Sequence, residues 1–311
     1  MTTTSVSPAV RVMDLLTPEE RRCLTARSDF RAAAMVLTTW LVILGLLGLA
    51  GFYPNWWTVV LVFLVLPGRQ LSLAVLMHEA GHGTLFQHAG LNQWVGQWLC
   101  ALPTFGDVES YARGHREHHK KAGSRDDPDL PNYAAYPVSI SSFKRKILRD
   151  LTGQTGLKLL AGLFRGATDI LGNDAGRGRS VLPAQIAAQL VLAGVLWLMG
   201  IGWTYWLWLG TFLTTYMLVI RLRQVAEHAA VPNLYDLDPR LNTRTVDAPW
   251  WQRVLIAPSF VNFHMEHHLM ASVPCYRLRA FRELLKQRGF LDNVPVFTSY
   301  VQVLRSAVVS A

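Results

Sequence analysis

The chain has 311 residues, of which 51% are hydrophobic and only 16% are charged, and its formal net charge is +9. A charged share well below the usual value of about 25% argues against an ordinary soluble domain and favours a protein that buries surface in lipid. The net charge alone would permit a nucleic-acid partner, but the placement of the basic residues indicates membrane topology instead, so no nucleic-acid partner is predicted.

The first 31 residues precede the apolar part of the chain. They contain no apolar stretch suited to a signal peptide, and Thr17-Pro18-Glu19-Glu20 is typical of a helix start. We predict that residues 1–31 are an N-terminal cytoplasmic or interfacial segment and that residues 32–311 form one membrane domain.

Two long runs contain no Asp, Glu, Lys or Arg: 37 residues at 32–68 and 41 residues at 180–220. A membrane span needs roughly 20 apolar residues, so each run is long enough for a hairpin of two helices. Turn residues at 53–55 (YPN) and 200–202 (GIG) divide the two runs. The predicted fold is therefore all-α, with four transmembrane helices near 33–52, 56–77, 182–199 and 203–220.

The 30 Lys and Arg residues are distributed unevenly along the chain. Five precede the first hairpin, 13 lie in 105–180, 11 lie in 221–311, and neither hairpin tip carries one. By the positive-inside rule, both termini and the central segment face the cytoplasm. The polar segments then form a helical cap on the cytoplasmic side.

Three segments outside the spans have recognisable patterns. Residues 90–104 are apolar but too short to span, which predicts an interfacial or re-entrant segment. Residues 142–163 mix basic and apolar side chains, so we expect an amphipathic helix on the membrane surface, with a solvated loop as the alternative. A helix is predicted from Arg277 to Arg288, ended by Gly289.

Nine of the ten histidines fall into groups, and only His88 stands apart as an expected surface or loop residue. Histidines at i, i+3 and i+4 lie within about 100° of arc on a helix, so each group can present one face of imidazoles. The grouped residues are His78, His82, His115, His118, His119, His228, His264, His267 and His268.

The height of these histidines along the membrane is the central inference from the sequence. His78 follows Trp56 by 22 residues, or roughly 33 Å of helix, and His228 follows Trp203 by 25 residues, or roughly 37 Å. Both positions lie just past the hydrocarbon core on the same side. Because the other two groups lie in cytoplasmic segments, all nine imidazoles are predicted to converge.

Imidazole nitrogen suits transition metals, whereas magnesium and calcium prefer oxygen. Nine ligands exceed the needs of one ion, so two metals with four or five nitrogens each are predicted. Two irons fit better than zinc, which has no redox chemistry and usually takes four ligands. Each iron would keep an open position for O2.

The sequence His78-Glu79-Ala80-Gly81-His82 also matches the HExxH motif of zinc proteases, with Glu79 as candidate general base. A membrane zinc protease is therefore one alternative hypothesis, although it leaves both HxxHH triplets unexplained. A membrane protein that binds or transports metal without catalysis is another.

The three boxes HEAGH at 78–82, HREHH at 115–119 and HMEHH at 264–268 resemble those of the membrane fatty-acid desaturase family. The surroundings DDPD at 126–129, AEH at 226–228 and VNF at 261–263 are also similar, so the resemblance covers roughly 70–290. Within the family the chain looks most like the bacterial rhizobitoxine-type subgroup, which implies a location in a bacterial inner membrane.

The resemblance implies an O2-dependent, non-haem di-iron oxidoreductase whose nine histidines bind the iron and which puts a double bond into a fatty-acyl or lipid-like chain. Hydroxylases and ketolases of the family share the centre, and the sequence does not separate these outcomes. Because no haem-binding segment is apparent, a separate ferredoxin, rubredoxin or cytochrome is expected to donate electrons.

Further site residues are predicted around the irons. Glu79, Glu227 and Asp127 are expected to hold ligand imidazoles through the second ring nitrogen. Gln224, one turn before His228, stands where some family members place a water-linked Asn. The substrate channel is expected to be lined by Met77, Trp98, Tyr111 and Phe263.

Overall fold

The computed structural model describes residues 12–172 and 180–310. The parts of the predicted N-terminal and central segments at 1–11 and 173–179, and residue 311, lie outside the described residues. The helices are α1 (Pro18–Thr25), α2 (Asp29–Phe52), α3 (Trp56–His82), α4 (Ala89–Val95), α5 (Val108–Lys121), α6 (Ile140–Leu151), α7 (Gln154–Gly172), α8 (Leu182–Leu198), α9 (Tyr205–Leu213), α10 (Thr215–His228), α11 (Pro239–Asn242), α12 (Trp250–Leu255), α13 (His264–Leu269), α14 (Leu278–Gln287) and α15 (Tyr300–Ala307).

The first hairpin, α2 and α3, has its turn at the predicted place. The Asn55 side chain caps the start of α3 by accepting from the Thr58 N–H, directly after the helix-breaking Pro54. From there α3 runs to His82 without interruption, through Pro67. The two histidines of the first box therefore lie on the last turns of a single long helix, as predicted.

The second hairpin differs from the prediction in its return helix. A single helix was predicted at 203–220, but the structure has α9 and α10, separated at Thr214 with φ −119° and ψ −88°. The break lies where α7 crosses, because a Cβ added to Gly156 would come within 2.5 Å of the Leu213 carbonyl oxygen. Such close contact with the backbone accompanies the interrupted helix geometry.

Two helical stretches among the described residues, Pro18–Phe52 and Trp56–His82, are long and apolar enough to cross a membrane. The apolar helix α8 is shorter, with 17 residues, and the return helix is split into nine and 14 residues. Side chains between the hairpins form a dense core around Trp208, which is fully buried against Leu47, Leu66 and Leu196.

Several smaller predictions are resolved by the observed elements. The helix start at residue 17 is confirmed as a capping box, and the helix ended by Gly289 is confirmed as α14, with φ +68° at the glycine. The single amphipathic helix expected at 142–163 is wrong in extent, because α6 and α7 are separate helices. Residues 90–104 are helical throughout, including a π-helical turn at Gly96–Ala101.

The fold is not purely helical, because Val138–Ser139 (β1) and Val308–Val309 (β2) form a short parallel pair. This pair joins the segment before α6 to the end of α15. Val12, Leu16 and Leu24 pack into the same core cluster as α14. The chain before the first hairpin therefore contacts the chain after the second.

Candidate metal centre

Four helices bring all nine grouped histidines together. They come from the end of α3, from α5, from the last residue of α10 and from α13. The histidines separate into two groups, and within each group one ligand atom per residue lies within 4.8 Å of the others. The five-histidine group is His78, His82, His115, His119 and His267, and the four-histidine group is His118, His228, His264 and His268.

In the five-histidine group, four Nε2 atoms form a closed ring with neighbours 2.9 Å apart. The order around the ring is His78, His115, His119, His267. Two nitrogens bound to one ion at about 2.1 Å and at right angles would be about 3.0 Å apart. The ring spacing therefore fits a metal ion at its centre. The fifth nitrogen, Nε2 of His82, is buried without a hydrogen-bond partner among the described residues.

In the four-histidine group, the Nε2 atoms of His228 and His264 are 2.8 Å apart. His228 donates its Nδ1–H to the Asn242 carbonyl at 3.2 Å, so its Nε2 presents a lone pair. Nε2 of His268 is buried and, within the described ranges, has no hydrogen-bond partner. Unpaired buried nitrogens that converge in this way fit a cation, because leaving them unsatisfied costs free energy.

Burial favours the neutral form of several of these imidazoles. Desolvation, assisted by neighbouring imidazoles, lowers the pKa of His119 and that of His228 to about 3. A neutral ring keeps one lone pair available for a metal. All nine donors are imidazole nitrogens, a donor type that suits transition metals and not magnesium or calcium.

The three carboxylates predicted from the sequence all lie beside second ring nitrogens. Asp127 Oδ1 is 2.8 Å from Nδ1 of His118, and Glu79 Oε1 is 3.2 Å from Nδ1 of His78. Glu227 Oε1 is 3.5 Å from Nδ1 of His264, at the outer limit for a hydrogen bond. An acceptor at Nδ1 fixes the ring and directs the Nε2 lone pair to the centre.

Each carboxylate is itself held in place. The Tyr133 hydroxyl donates to Asp127, and Nη1 of Arg223 lies 2.7 Å from both oxygens of Glu227. Glu79 accepts from the Thr84 hydroxyl at 2.9 Å and from the Cys275 N–H at 2.8 Å.

These contacts bear on the protease hypothesis. The engaged oxygens of Glu79 face His78 Nδ1, Thr84 and the Cys275 backbone, and not the Nε2 ring. A general base must reach the water or proton at the metal, so this geometry disfavours that role for Glu79.

The segment 242–245 was missed by the sequence analysis. The buried Arg244 donates to the carbonyls of Ala226, Ala229 and Ala230 at 2.7–3.0 Å, which lie at and just beyond the end of α10. Beside it, the Asn242 carbonyl accepts from His228. A buried arginine at a helix C-terminus satisfies both the free carbonyls and the helix dipole. In the sequence, Arg244 is one basic residue in a segment of turns, and nothing next to it indicates that it caps a helix.

The third histidine box has a second missed support. Glu266, fully buried in α13, accepts from Nη1 of Arg282 at 2.6 Å and from the Thr245 hydroxyl. Nη2 of Arg282 reaches Asp247 at 3.0 Å. This network fixes α13 against α14 and so positions the box. In the sequence, the acidic residue Glu266 within the third box is the one feature that indicated such a network.

A cavity of about 390 Å³ adjoins the two groups. It is lined by His78, His115, His118, His228, His264 and His267, and by residues of α3, α5, α7, α10 and the 129–133 turn. Its volume lies within the usual range for small-molecule sites. Of the predicted lining residues, Met77, Tyr111 and Phe263 contact it, whereas Trp98 does not and is exposed.

Gln224 and His88 are the two remaining positions singled out in the sequence. Gln224 lines the cavity one turn before His228. His88 lies outside both groups, and its Nδ1 accepts from the Leu91 N–H at the start of α4. The tenth histidine is thus an exposed helix cap, as its isolation in the sequence suggested.

Comparison with known proteins gives one consistent result. Residues 54–300 match the family model described as fatty acid desaturase. The chain is 25% identical to dihydrorhizobitoxine desaturase of Bradyrhizobium elkanii, over 77% of this chain and 71% of that protein. It is 26% identical to the sn-1 acyl-lipid omega-3 desaturase (ferredoxin) of Synechocystis sp., over 79% and 72%.

A shorter similarity reaches the beta-carotene 4-ketolase of Protosiphon botryoides, with 28% identity over 36% of this chain and 32% of that protein. The predicted family is confirmed, and the first relative supports the predicted subgroup. The chain belongs to the fatty acid desaturase family and is an oxidoreductase of the desaturase type.

Proposed function

We propose that the nine histidines hold two irons, one in each group, and that the protein uses O2 and two electrons to form a carbon–carbon double bond. The observation that carries this proposal is the separation of the nine histidines into two sets of converging imidazole nitrogens. Bound there, the irons would supply the oxidant that removes two hydrogens from adjacent saturated carbons, while O2 is reduced to water.

The contribution of the chain is positioning. Asp127, Glu79 and Glu227 orient the ligand rings through Nδ1, with the Asn242 carbonyl doing the same for His228. The apolar cavity walls hold the substrate methylenes beside the irons and exclude water. Gln224 contacts the cavity and can hydrogen-bond a bound water.

We further propose four membrane crossings, with the metal centre on the cytoplasmic side. Both hairpin tips carry exposed tryptophans, at Trp56, Trp57, Trp197 and Trp206, as expected of an aromatic belt at the far interface. Between the tips and the cap, large side chains such as Leu37, Leu41, Leu64 and Leu190 are exposed, which suits contact with lipid.

The substrate is proposed to be an acyl or other lipid-like chain, and the electron donor a separate small redox protein. The printed name of the Synechocystis relative associates that protein with ferredoxin. A ferredoxin-class donor would dock on the cytoplasmic cap, where α5 exposes Arg113, Lys120 and Lys121.

Ketolase or hydroxylase chemistry is the second candidate, favoured by the similarity to beta-carotene 4-ketolase. The mass of the product separates the two, because desaturation removes two hydrogens and oxygenation adds oxygen.

Expression in a bacterial host of simple lipid composition tests the proposal. The host should gain a product with one more double bond, and purified protein should contain two irons per chain. His118→Ala should abolish the product, whereas His88→Ala, the matched control outside both groups, should retain it. Unchanged product formation by His118→Ala, or a single zinc per chain, would contradict the proposal.

A further inference from the structure

The cavity beside the histidines is a slot between α3 and α10. One wall is formed by Leu71, Val75 and His78 of α3, and the other by Tyr216, Ile220 and Arg223 of α10. The helical rise of about 1.5 Å per residue puts Arg223 roughly 7 Å from His228 and Tyr216 roughly 10 Å farther away. The slot thus has a histidine end, a polar middle and a short apolar end.

Aromatic rings pack together at the apolar end. Phe212 stacks on Tyr216 with ring centroids 5.0 Å apart, and the Phe105 ring centroid is also 5.0 Å from that of Phe212.

Arg223 is the positive charge of this slot, and its guanidinium is only partly engaged. Nη1 binds Glu227 at 2.7 Å, while Nη2 makes no hydrogen bond within the part of the chain that the structure describes. The side chain lines the cavity and is 21% exposed there, whereas Glu227 is 6% exposed. One edge of the guanidinium thus pairs with Glu227 and the other faces the cavity.

Three further polar side chains line the same cavity. In the described residues, the hydroxyls of Tyr111 and Tyr216 and the amide of Gln224 have no hydrogen-bond partner, although each residue lines the slot. Tyr111 stacks on His115 with centroids 5.2 Å apart, so its ring is fixed next to the five-histidine group. A few polar groups that line a mostly apolar cavity are typical of sites that orient a ligand.

We infer that Arg223, assisted by Tyr111 and Tyr216, binds a carboxylate or carbonyl oxygen of the substrate inside the slot. This inference rests on the proposed function and narrows its substrate class. The substrate would carry an oxygen acceptor within a few bonds of the carbons that react. An acyl chain bound only by its methylenes would leave the Arg223 edge unpaired in a low-dielectric site, which costs free energy.

The test compares ligands that differ only in the oxygen group. Decanoate, methyl decanoate and decane are titrated into the iron-loaded protein in lipid nanodiscs, and binding is measured calorimetrically. The expected order has decane about tenfold or more weaker than an oxygen-bearing ligand, as for loss of a hydrogen bond to a charged group. Tighter binding of decanoate than of its ester identifies a carboxylate, and equal binding identifies a carbonyl.

Variants then assign the effect to the residue. Arg223→Lys keeps a positive charge for Glu227 but removes the free edge, so decanoate should bind about tenfold more weakly while decane is unaffected. Arg221→Lys is the matched control, because Arg221 lies on the same helix but binds Asp150 outside the cavity. If Arg223→Lys does not fold, Tyr111→Phe gives a milder test, with an expected loss of about fivefold.

The inference is overturned if decane binds wild-type protein as tightly as decanoate, or if Arg223→Lys, or Tyr111→Phe where that variant replaces it, binds decanoate like wild type. Iron content and product formation are measured in the same preparations. Absence of both would contradict the proposed function, whereas binding data alone decide the role of Arg223.

Discussion

The two histidine groups achieve a similar result by different means. The five-histidine group has more nitrogens, lies closer to solvent, and, within the described residues, has a hydrogen-bonded second nitrogen only at His78. The four-histidine group is more buried, and Asp127, the Asn242 carbonyl and Glu227 lie beside three of its four second nitrogens. The five-histidine group would hold its metal through the number of its ligands. The four-histidine group would hold its metal through rings whose orientation is fixed by neighbouring acceptors.

This difference teaches where the site is sensitive. A ligand set with one nitrogen to spare tolerates the loss of a ring, whereas a set of four fixed rings depends on each member and on its support.

The largest expected effect comes from removing one ligand in each group. His228→Ala leaves three nitrogens in the four-histidine group, so iron content should fall from two to one per chain and activity should be lost. His82→Ala leaves four nitrogens in the other group, so most of the iron should remain. Metal analysis of both variants, with His88→Ala as control, checks this. Equal iron loss in the two variants would contradict the greater sensitivity of the four-histidine group.

The next effect tests the support of the four-histidine group. Asp127→Ala removes the acceptor of His118 Nδ1, and loss of such a contact usually lowers metal affinity about 10- to 100-fold. Asp127→Asn keeps an acceptor oxygen and should restore much of the affinity. Iron retention during titration with a chelator measures both variants. Chelator curves that coincide with wild type would show that the ring needs no support.

A third effect concerns the end of α10, which carries His228. Arg244→Ala leaves three carbonyls without their donor in a buried place, and we expect a loss of about 3 kcal/mol in the free energy of unfolding. The exposed Arg279→Ala should change it by less than about 0.5 kcal/mol. Thermal unfolding in detergent gives the comparison. Matching unfolding temperatures for the two variants would contradict a role for Arg244.

The smallest effect concerns the break before α10. A methyl group at Gly156 would lie within 2.5 Å of the Leu213 carbonyl oxygen, so Gly156→Ala should destabilise by about 1–3 kcal/mol and displace α10 slightly. Gly162→Ala on the same helix meets nothing within 4 Å and should be neutral or slightly stabilising, because alanine favours helix. Unfolding temperature and iron content in the four-histidine group report on both. A Gly156→Ala variant as stable as wild type would show that α7 does not contact the break between α9 and α10 closely.

Much of the site could be predicted because the spacing of residues along a helix determines the direction in which their side chains point. The i, i+3 and i+4 spacing of His115, His118 and His119 puts the three rings on one face of a helix, and all three contribute to the metal centre. Acidic residues next to the boxes were also identifiable, since Glu79, Asp127 and Glu227 are close in sequence to a histidine. The hairpin turns were predictable because turn residues interrupt each apolar run, which is also a local feature of the sequence.

Contacts between distant segments were not predictable. Nothing in the sequence around Arg244 indicates that it caps α10, and nothing at Gly156 indicates the break at Thr214, because both depend on which helix lies next to which. Trp98 was assigned to the cavity on hydrophobicity alone, yet the structure exposes it on the outer surface. The extents of α6 and α7 were missed because a glycine turn at 152–153 separates two amphipathic stretches with a continuous pattern.

The sequence by itself determined the family, the helical class, the two hairpin turns and the histidines that face a common centre, because each follows from composition or from the period of a helix. Only the tertiary structure decided how nine rings divide into five and four, which backbone and arginine contacts hold them, and that Arg223 presents a free edge to the cavity. Those features arise from packing between segments far apart in the chain, which no local pattern encodes.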